Sequence, residues 1–396
     1  MQPLTPSEQA QLQEYVVSLR REFHQIPELG TCLPATSQRV ADELTALGIP
    51  FQRTIPDGSI TATIEGGQPG RTVALRADMD GLLIGEQTGL PFASKHPGRM
   101  HACGHDTHMA MLLGAGKLLW QNRTELSGTV KLLFQSGEEC CQGAAELIEA
   151  GCLEGVDAIF GMHIGTLLGS KYPSGTLIVP DGGCMASFDR FTLTVRGFGC
   201  HGSSPEKGVD PINIAAHIVL ALQSIIAREI PAAQPAVLSL GRIQGGAQYN
   251  LIPTEVVLEG TTRSLDQEVR KKLARRIEEI SSATASAFGG TCQCEMFWGA
   301  PPVINDPDLA SLAARAIQDA MPGCGVVTHI DSSNMGGEDF AFYLQQVPGV
   351  YLFLSTYDEE KGTHIPHHNE RFDVDEGVLW QGSVAYAGIA RRFLSE

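Results

Sequence analysis

The chain has 396 residues, 43% of them hydrophobic and 18% charged, with 44 glycines that follow no period. That composition excludes a fibrous or disordered chain and describes an α/β enzyme long enough for two domains. Lysine and arginine total 28 against 45 acidic residues, a formal net charge of −17, which argues against nucleic acid as a partner.

In chain order, residues 7–25 predict an amphipathic helix, with Val16, Leu19 and Phe23 at helical spacing and Pro27 as its stop. The N-terminal residues lack the apolar core of a signal peptide, and no stretch reads as long enough to span a bilayer. A cytoplasmic protein without membrane contact is therefore expected. Short apolar runs at 72–77, 129–135 and 157–162 alternate with helical patterns at 108–120 and 144–151, the signature of a mostly parallel, doubly wound sheet. Asp181-Gly182-Gly183 breaks this pattern. Beyond it come strand, helix, strand, strand, helix and strand at 188–196, 211–228, 236–243, 255–263, 267–287 and 291–297, the order of a split ferredoxin-like fold. After Pro301-Pro302 a helix at 309–321 and a strand at 350–354 resume the first pattern. The expected organisation is an α/β catalytic domain at 1–183 and 299–396, interrupted by an inserted α+β lid or dimerisation domain at 184–298.

The ten cysteines, spread over this length, read as reduced thiols. Only Cys103 has a ligand-like setting. It lies in a run from Arg99 to His108 that also holds His101, His105, Asp106 and His108, and Gly104 lets the Cys103 thiolate and the His105 imidazole converge on one cation from a turn. Further candidates gather where the predicted strands end, the side of an open sheet on which functional groups collect. They are Asp78 and Asp80, Glu138 and Glu139, His163, and the trio His364, His367 and His368. Singly, each has a bland explanation: a solvated turn, a hydrogen-bonded core histidine, a charged helix start. Together they supply thiolate, imidazole and carboxylate in the numbers a two-ion site requires. Of two adjacent glutamates at a turn, one is free to bind metal while its neighbour serves as base.

These residues and their surroundings resemble the aminoacylase, hippurate hydrolase and auxin-conjugate amidohydrolase branch of the co-catalytic metallopeptidases, a clan that also holds carboxypeptidase G and succinyl-diaminopimelate desuccinylase. The resemblance runs nearly end to end, through Phe23-His24-Gln25-Ile26-Pro27-Glu28, Arg76-Ala77-Asp78-Met79-Asp80-Gly81, the run from Met100 to His108, and the one from Phe134 to Glu139. It continues through Gly161-Met162-His163, Gly199-Cys200-His201, Asp210-Pro211, Gly245-Gly246, Asn250-Leu251-Ile252-Pro253 and Gly336-Gly337-Glu338-Asp339-Phe340 to His368. It implies that Cys103, His105, Glu139, His163 and His368 bind two divalent ions, with Cys103 as bridge, Glu138 as general base and Asp80 orienting a ligand. His368 is preferred because it stands four before Phe372; His364 and His367 stay open. In the inserted domain the resemblance implies that His201 and Asn250 steady the oxyanion or the substrate carboxylate, and that Arg263 supplies the cation for that carboxylate. An exposed strand-end charge explains Arg263 equally well. Zinc is the expected metal, with manganese, cobalt or nickel as alternatives.

The implied activity is hydrolysis of the amide bond of N-acyl amino acids, small-molecule substrates, with a dipeptidase or carboxypeptidase on the same scaffold as the alternative. A metal-binding protein without turnover is disfavoured by the presence of Glu138. The implied assembly is a homodimer through the inserted domain, whose first strand and 211–228 helix offer an edge for pairing. Departures from the family pattern are Ser136-Gly137 before the glutamates, Cys140-Cys141 after them, Glu206 and Gln248; none removes a ligand.

Overall fold

A computed structural model describes residues 2–330 and 334–396. The chain forms two compact units, one of Met1–Cys184, Ile304–Asn334 and Asp339–Glu396, the other of Met185–Val303 and Met335–Glu338.

The first unit opens with α1 (Pro6–His24). The Thr5 hydroxyl accepts the Glu8 N–H while the Glu8 carboxylate accepts the Thr5 N–H, which satisfies donors that a helix start otherwise leaves orphaned. Leu12, Val16, Leu19 and Phe23 form its buried face, each contributing roughly 1.5–3 kcal/mol by leaving water. Next come α2 (Pro34–Leu47), β1 (Phe51–Arg53), β2 (Ile60–Glu65), β3 (Gln68–Asp78), α3 (His105–Gln121), β4 (Ser127–Gln135), α4 (Gly143–Glu149), β5 (Ala158–Gly165) and β6 (Leu177–Ile178).

The second unit contains β7 (Ser187–Arg196), β8 (Cys200–His201), α5 (Pro211–Ser224), β9 (Ala236–Gly245), β10 (Leu251–Ile252), β11 (Glu255–Ser264), α6 (Gln267–Ala287) and β12 (Thr291–Trp298). The first unit then resumes with α7 (Pro307–Ala320), β13 (Val326–Val327), β14 (Gly349–Ser355) and α8 (Leu379–Ser395).

The large sheet has the order β1-β2-β4-β3-β5-β14-β6-β13. Its centre, β4-β3-β5-β14, is parallel, as the alternating pattern predicted. All of β5 is buried, the mark of a parallel strand covered on both faces. The antiparallel β1 and β2 at one side went unread in the sequence. Parallel pairing brings the carboxyl ends of β3, β4, β5 and β14 to one edge of the sheet. His163 lies inside β5, two residues before its end, whereas the apolar run placed it just beyond the strand.

In the second unit the sheet order is β9-β11-β7-β12, all antiparallel, with α5 and α6 on one face. Phe191, Leu193 and Val195 of β7 meet Ile214 and Ile218 of α5 and Leu273 and Ile277 of α6 in its core. This is the split ferredoxin-like arrangement. Two expectations need correction here. β7 is interior, so the free edges belong to β9 and β12. And α5 with its π-helical end makes a stretch, Pro211–Glu229, long and apolar enough by length and composition to cross a membrane, which the sequence reading had denied. Its Ile214, Ala215, Ile218 and Leu222 pack in the core of the unit.

Candidate metal centre

The carboxyl edge of the large sheet carries the site, and each functional side chain is held by an identifiable local device. Gly104 precedes α3 with φ 88°, and a Cβ there would stand 2.8 Å from Ile164 Cγ2. The turn between Cys103 and His105 therefore requires glycine for its backbone and for its close approach. Asp80, just past β3, accepts the backbone N–H of Glu138 and of Glu139, each at 3.0 Å. The glutamate pair is fixed by this carboxylate, since α4 starts only at Gly143. His368 adopts φ 62°, a left-handed backbone rare for a side chain of this kind and of the sort that collects at functional sites.

Cys103 belongs to two groups of potential ligand atoms whose members lie within 4.8 Å of one another: Cys103, His163 and His367, and Cys103, Glu139 and His368. His105 joins Glu138 and Glu139 in a third and Asp78 and His108 in a fourth. The residues expected as ligands thus meet in one place, with His367 added. His364 joins no such group among the described residues. Asp78 was a strand-end candidate and His108 part of the dense run, but neither was given a role, although His108 stands three after His105, the spacing that puts two side chains on one face of a helix.

The donor set fits divalent cations. His163 donates Nδ1–H to the Ile164 carbonyl at 2.7 Å, which leaves Nε2 as the lone-pair nitrogen, 3.4 Å from Cys103 Sγ. That is the arrangement of a metal-binding imidazole. The fully buried His105 ring makes no hydrogen bond of good geometry among the described residues. Its nearest partners are Asp80 at 3.5 Å, Asp78 at 3.8 Å, Glu138 at 3.9 Å and Glu139 at 4.0 Å, too long for good hydrogen bonds. Burial pushes the His105 imidazolium down, yet the carboxylates of Asp78, Asp80 and Glu139 overcome it and lift its pKa to about 10; the pocket favours positive charge. Burial, reinforced by neighbouring imidazoles, holds His163 well below the ordinary histidine range and His367 at about 3. Both present neutral nitrogens, the form a cation binds.

Beneath the site a buried ionic network ties α1 to the first turn of α3. Arg20 reaches Asp106 at 3.0 Å, Glu376 at 2.9 Å and Asp373 at 2.7 Å. His24 spans Asp106 at 2.8 Å and Glu86 at 3.2 Å.

In the second unit, β8 pairs with β10 so that His201 stands opposite Leu251, next to Asn250, and the Gly202 N–H donates to the Asn250 carbonyl. His201 is exposed and its Nδ1 accepts from the Ser203 N–H at 3.1 Å. Arg263 lies near the far end of β11, eight residues beyond Glu255 and so about 26 Å along the strand. Its guanidinium donates to the Thr262 carbonyl and stands 5.5 Å from the centre of the Phe188 ring. Within one copy of this unit, His201 and Asn250 are together and Arg263 is apart.

The sequence profile of Peptidase family M20/M25/M40 matches residues 74–392. A protein of Saccharolobus solfataricus named thermostable carboxypeptidase 1 is 39% identical over 388 residues, 97% of this chain and 96% of its own. An N-acetyl-L-cysteine deacetylase of Bacillus subtilis is 38% identical over 386 residues, 97% of this chain and 89% of its own. Among solved structures, a Bacillus subtilis protein described as a dinuclear metal binding peptidase of the M20 family matches with a TM-score of 0.85 and 34% identity, over 98% of this chain and 99% of that one.

Proposed function

This chain belongs to Peptidase family M20/M25/M40, and we propose that it is an amidohydrolase that cleaves the amide bond of N-acyl amino acids with two divalent ions. The observation that carries the reading is Cys103 shared between two ligand groups, with Glu138 beside the ligand Glu139. The deacetylase relatives support the N-acyl substrate, since their names specify N-acetylcysteine.

Cys103, His105, Glu139, His163 and His368 would hold the ions in this reading, Cys103 being the residue that belongs to both ligand groups. When bound, the ions supply Lewis acidity that polarises an acyl carbonyl and acidifies water. Glu138 takes a proton from the attacking water as its oxygen adds to the acyl carbon, and delivers that proton to the nitrogen as the C–N bond breaks, so that a carboxylic acid and a free amine leave. Asp80 keeps Glu138 and Glu139 in register. In this reading His201 and Asn250 steady the oxyanion or the substrate carboxylate, and Arg263, apart from them within one copy of the unit, supplies the cation for that carboxylate.

Zinc suits a thiolate, imidazole and carboxylate donor set. Ten free thiols, one of them a ligand, suit a reducing cytoplasm. A homodimer through the inserted domain is supported by the free edge of β9 and by Ile212, Leu220 and Ile243, which are 45%, 71% and 59% exposed.

The test is release of free amine from N-acetyl, N-benzoyl and longer N-acyl amino acids beside free dipeptides, with and without a chelator. Chelator-sensitive cleavage of the N-acyl compounds is expected. Cleavage of peptides alone would replace the reading with the peptidase one that the archaeal carboxypeptidase relative represents.

A further inference from the structure

His108 touches two of the three imidazoles assigned to the ions, His105 and His163, yet is assigned no role of its own. Its ring stacks on His105 with centroids 5.4 Å apart and meets His163 edge-on at 4.6 Å. Its Nε2 lies 3.0 Å from the backbone nitrogen of Ile164, and its Nδ1 lies 2.5 Å from Asp78 Oδ1. A backbone N–H only donates, so Nε2 must accept and the proton must sit on Nδ1, pointing at Asp78. The other Asp78 oxygen accepts from Arg76 Nη1 at 2.6 Å. A continuous chain results: Asp78 fixes the His108 tautomer, His108 holds the Ile164 N–H, across the Cα of that same residue the Ile164 carbonyl takes the His163 Nδ1–H, and His163 Nε2 faces Cys103.

We infer that His108, oriented by Asp78, is a positioning residue that aims the His163 nitrogen at its ion through the main chain of Ile164, whose N–H it holds and whose carbonyl takes the His163 Nδ1–H. The inference rests on the reading of His163 as a ligand. His108 itself need not touch an ion. Groups that orient a metal-binding imidazole in this way are commonly worth 10- to 100-fold in metal affinity.

The experiment measures Zn2+ affinity by chelator competition, and the visible spectrum of the Co2+-loaded protein, for wild type, His108→Ala, His108→Gln and His163→Ala. His108→Ala should weaken one of the two ions by about 10- to 100-fold and alter the Co2+ bands, with the other ion less affected. His108→Gln, which keeps an acceptor for the Ile164 N–H and a donor for Asp78, should restore much of the loss. If His108→Ala lowers thermal stability but leaves Zn2+ affinity and the Co2+ spectrum at wild-type values, His108 is only packing and the inference fails. If His163→Ala also keeps both ions at full affinity, the ligand reading falls instead.

Discussion

Asp80 holds Glu138 by the backbone, not the side chain: one carboxylate oxygen accepts the Glu138 N–H at 3.0 Å while the other takes the N–H of Glu139. Asp80→Asn turns one acceptor into an NH2 donor facing an N–H, a clash that costs about 1–3 kcal/mol when buried. The glutamate turn should loosen, with metal affinity and kcat both falling about 10- to 100-fold. Metal analysis after dialysis, together with steady-state kinetics on an N-acetyl amino acid, checks both.

Glu138→Gln separates the base from the ligands. Metal content should stay at the wild-type level while kcat drops by about 10²- to 10⁴-fold, the usual worth of a positioned acid–base group. Turnover near wild type would remove Glu138 from that role. Cys103→Ala should do the reverse, lowering the content of both ions because both ligand groups lose the same sulfur.

The Gly104 turn is testable by one methyl group. Gly104→Ala places a Cβ 2.8 Å from Ile164 Cγ2 on a backbone with φ 88°. Strain and displacement together should cost about 1–3 kcal/mol and weaken metal binding, because Cys103 and His105 flank the altered residue. Urea unfolding of metal-free protein reads the first effect and chelator competition the second.

His24 predicts a pH dependence of stability. Burial disfavours its charged form, but Asp106 and then Glu86 outweigh that, despite the nearby Arg20, and raise its pKa to about 9 from 6.5. The folded state therefore binds this proton more tightly than the unfolded chain. The stabilisation is complete below about pH 6.5 and disappears as pH rises through 9, an amount on the order of 3 kcal/mol. The gap in unfolding free energy between wild type and His24→Asn should be wide at pH 6 and nearly closed at pH 10. A gap that is flat across that range would contradict the charged pairing of His24 with Asp106.

Most of the side chains that cluster at the carboxyl edge were legible in the sequence because they sit at strand ends and in one dense turn, where spacing alone restricts what neighbours what. Helix Gln267–Ala287 was placed to the residue, its polar face and Asp266 cap being strong local signals. β1 was missed since a three-residue strand carries no period to detect, whereas β2 does alternate, with Ile60, Ala62 and Ile64 buried, and went unread. Spacing to Phe372 preferred His368, but that His367 also stands beside Cys103 depends on a backbone twist, φ 62° at His368, that no spacing encodes. The chain from Asp78 through His108 to His163 passes through the main chain of Ile164, and a hydrogen bond to main-chain atoms leaves no residue-type signature.

Cys103 offers its sulfur to both ligand groups, and a shared donor makes the two halves of the centre fail together. A thiolate is also the one ligand here that oxidants convert to sulfenic and then irreversibly to sulfinic acid. With a carboxylate in that place the centre would be indifferent to peroxide; if Cys103 serves both ions as proposed, one oxidation event would disarm both at once and tie the enzyme's working life to the reducing power of its surroundings.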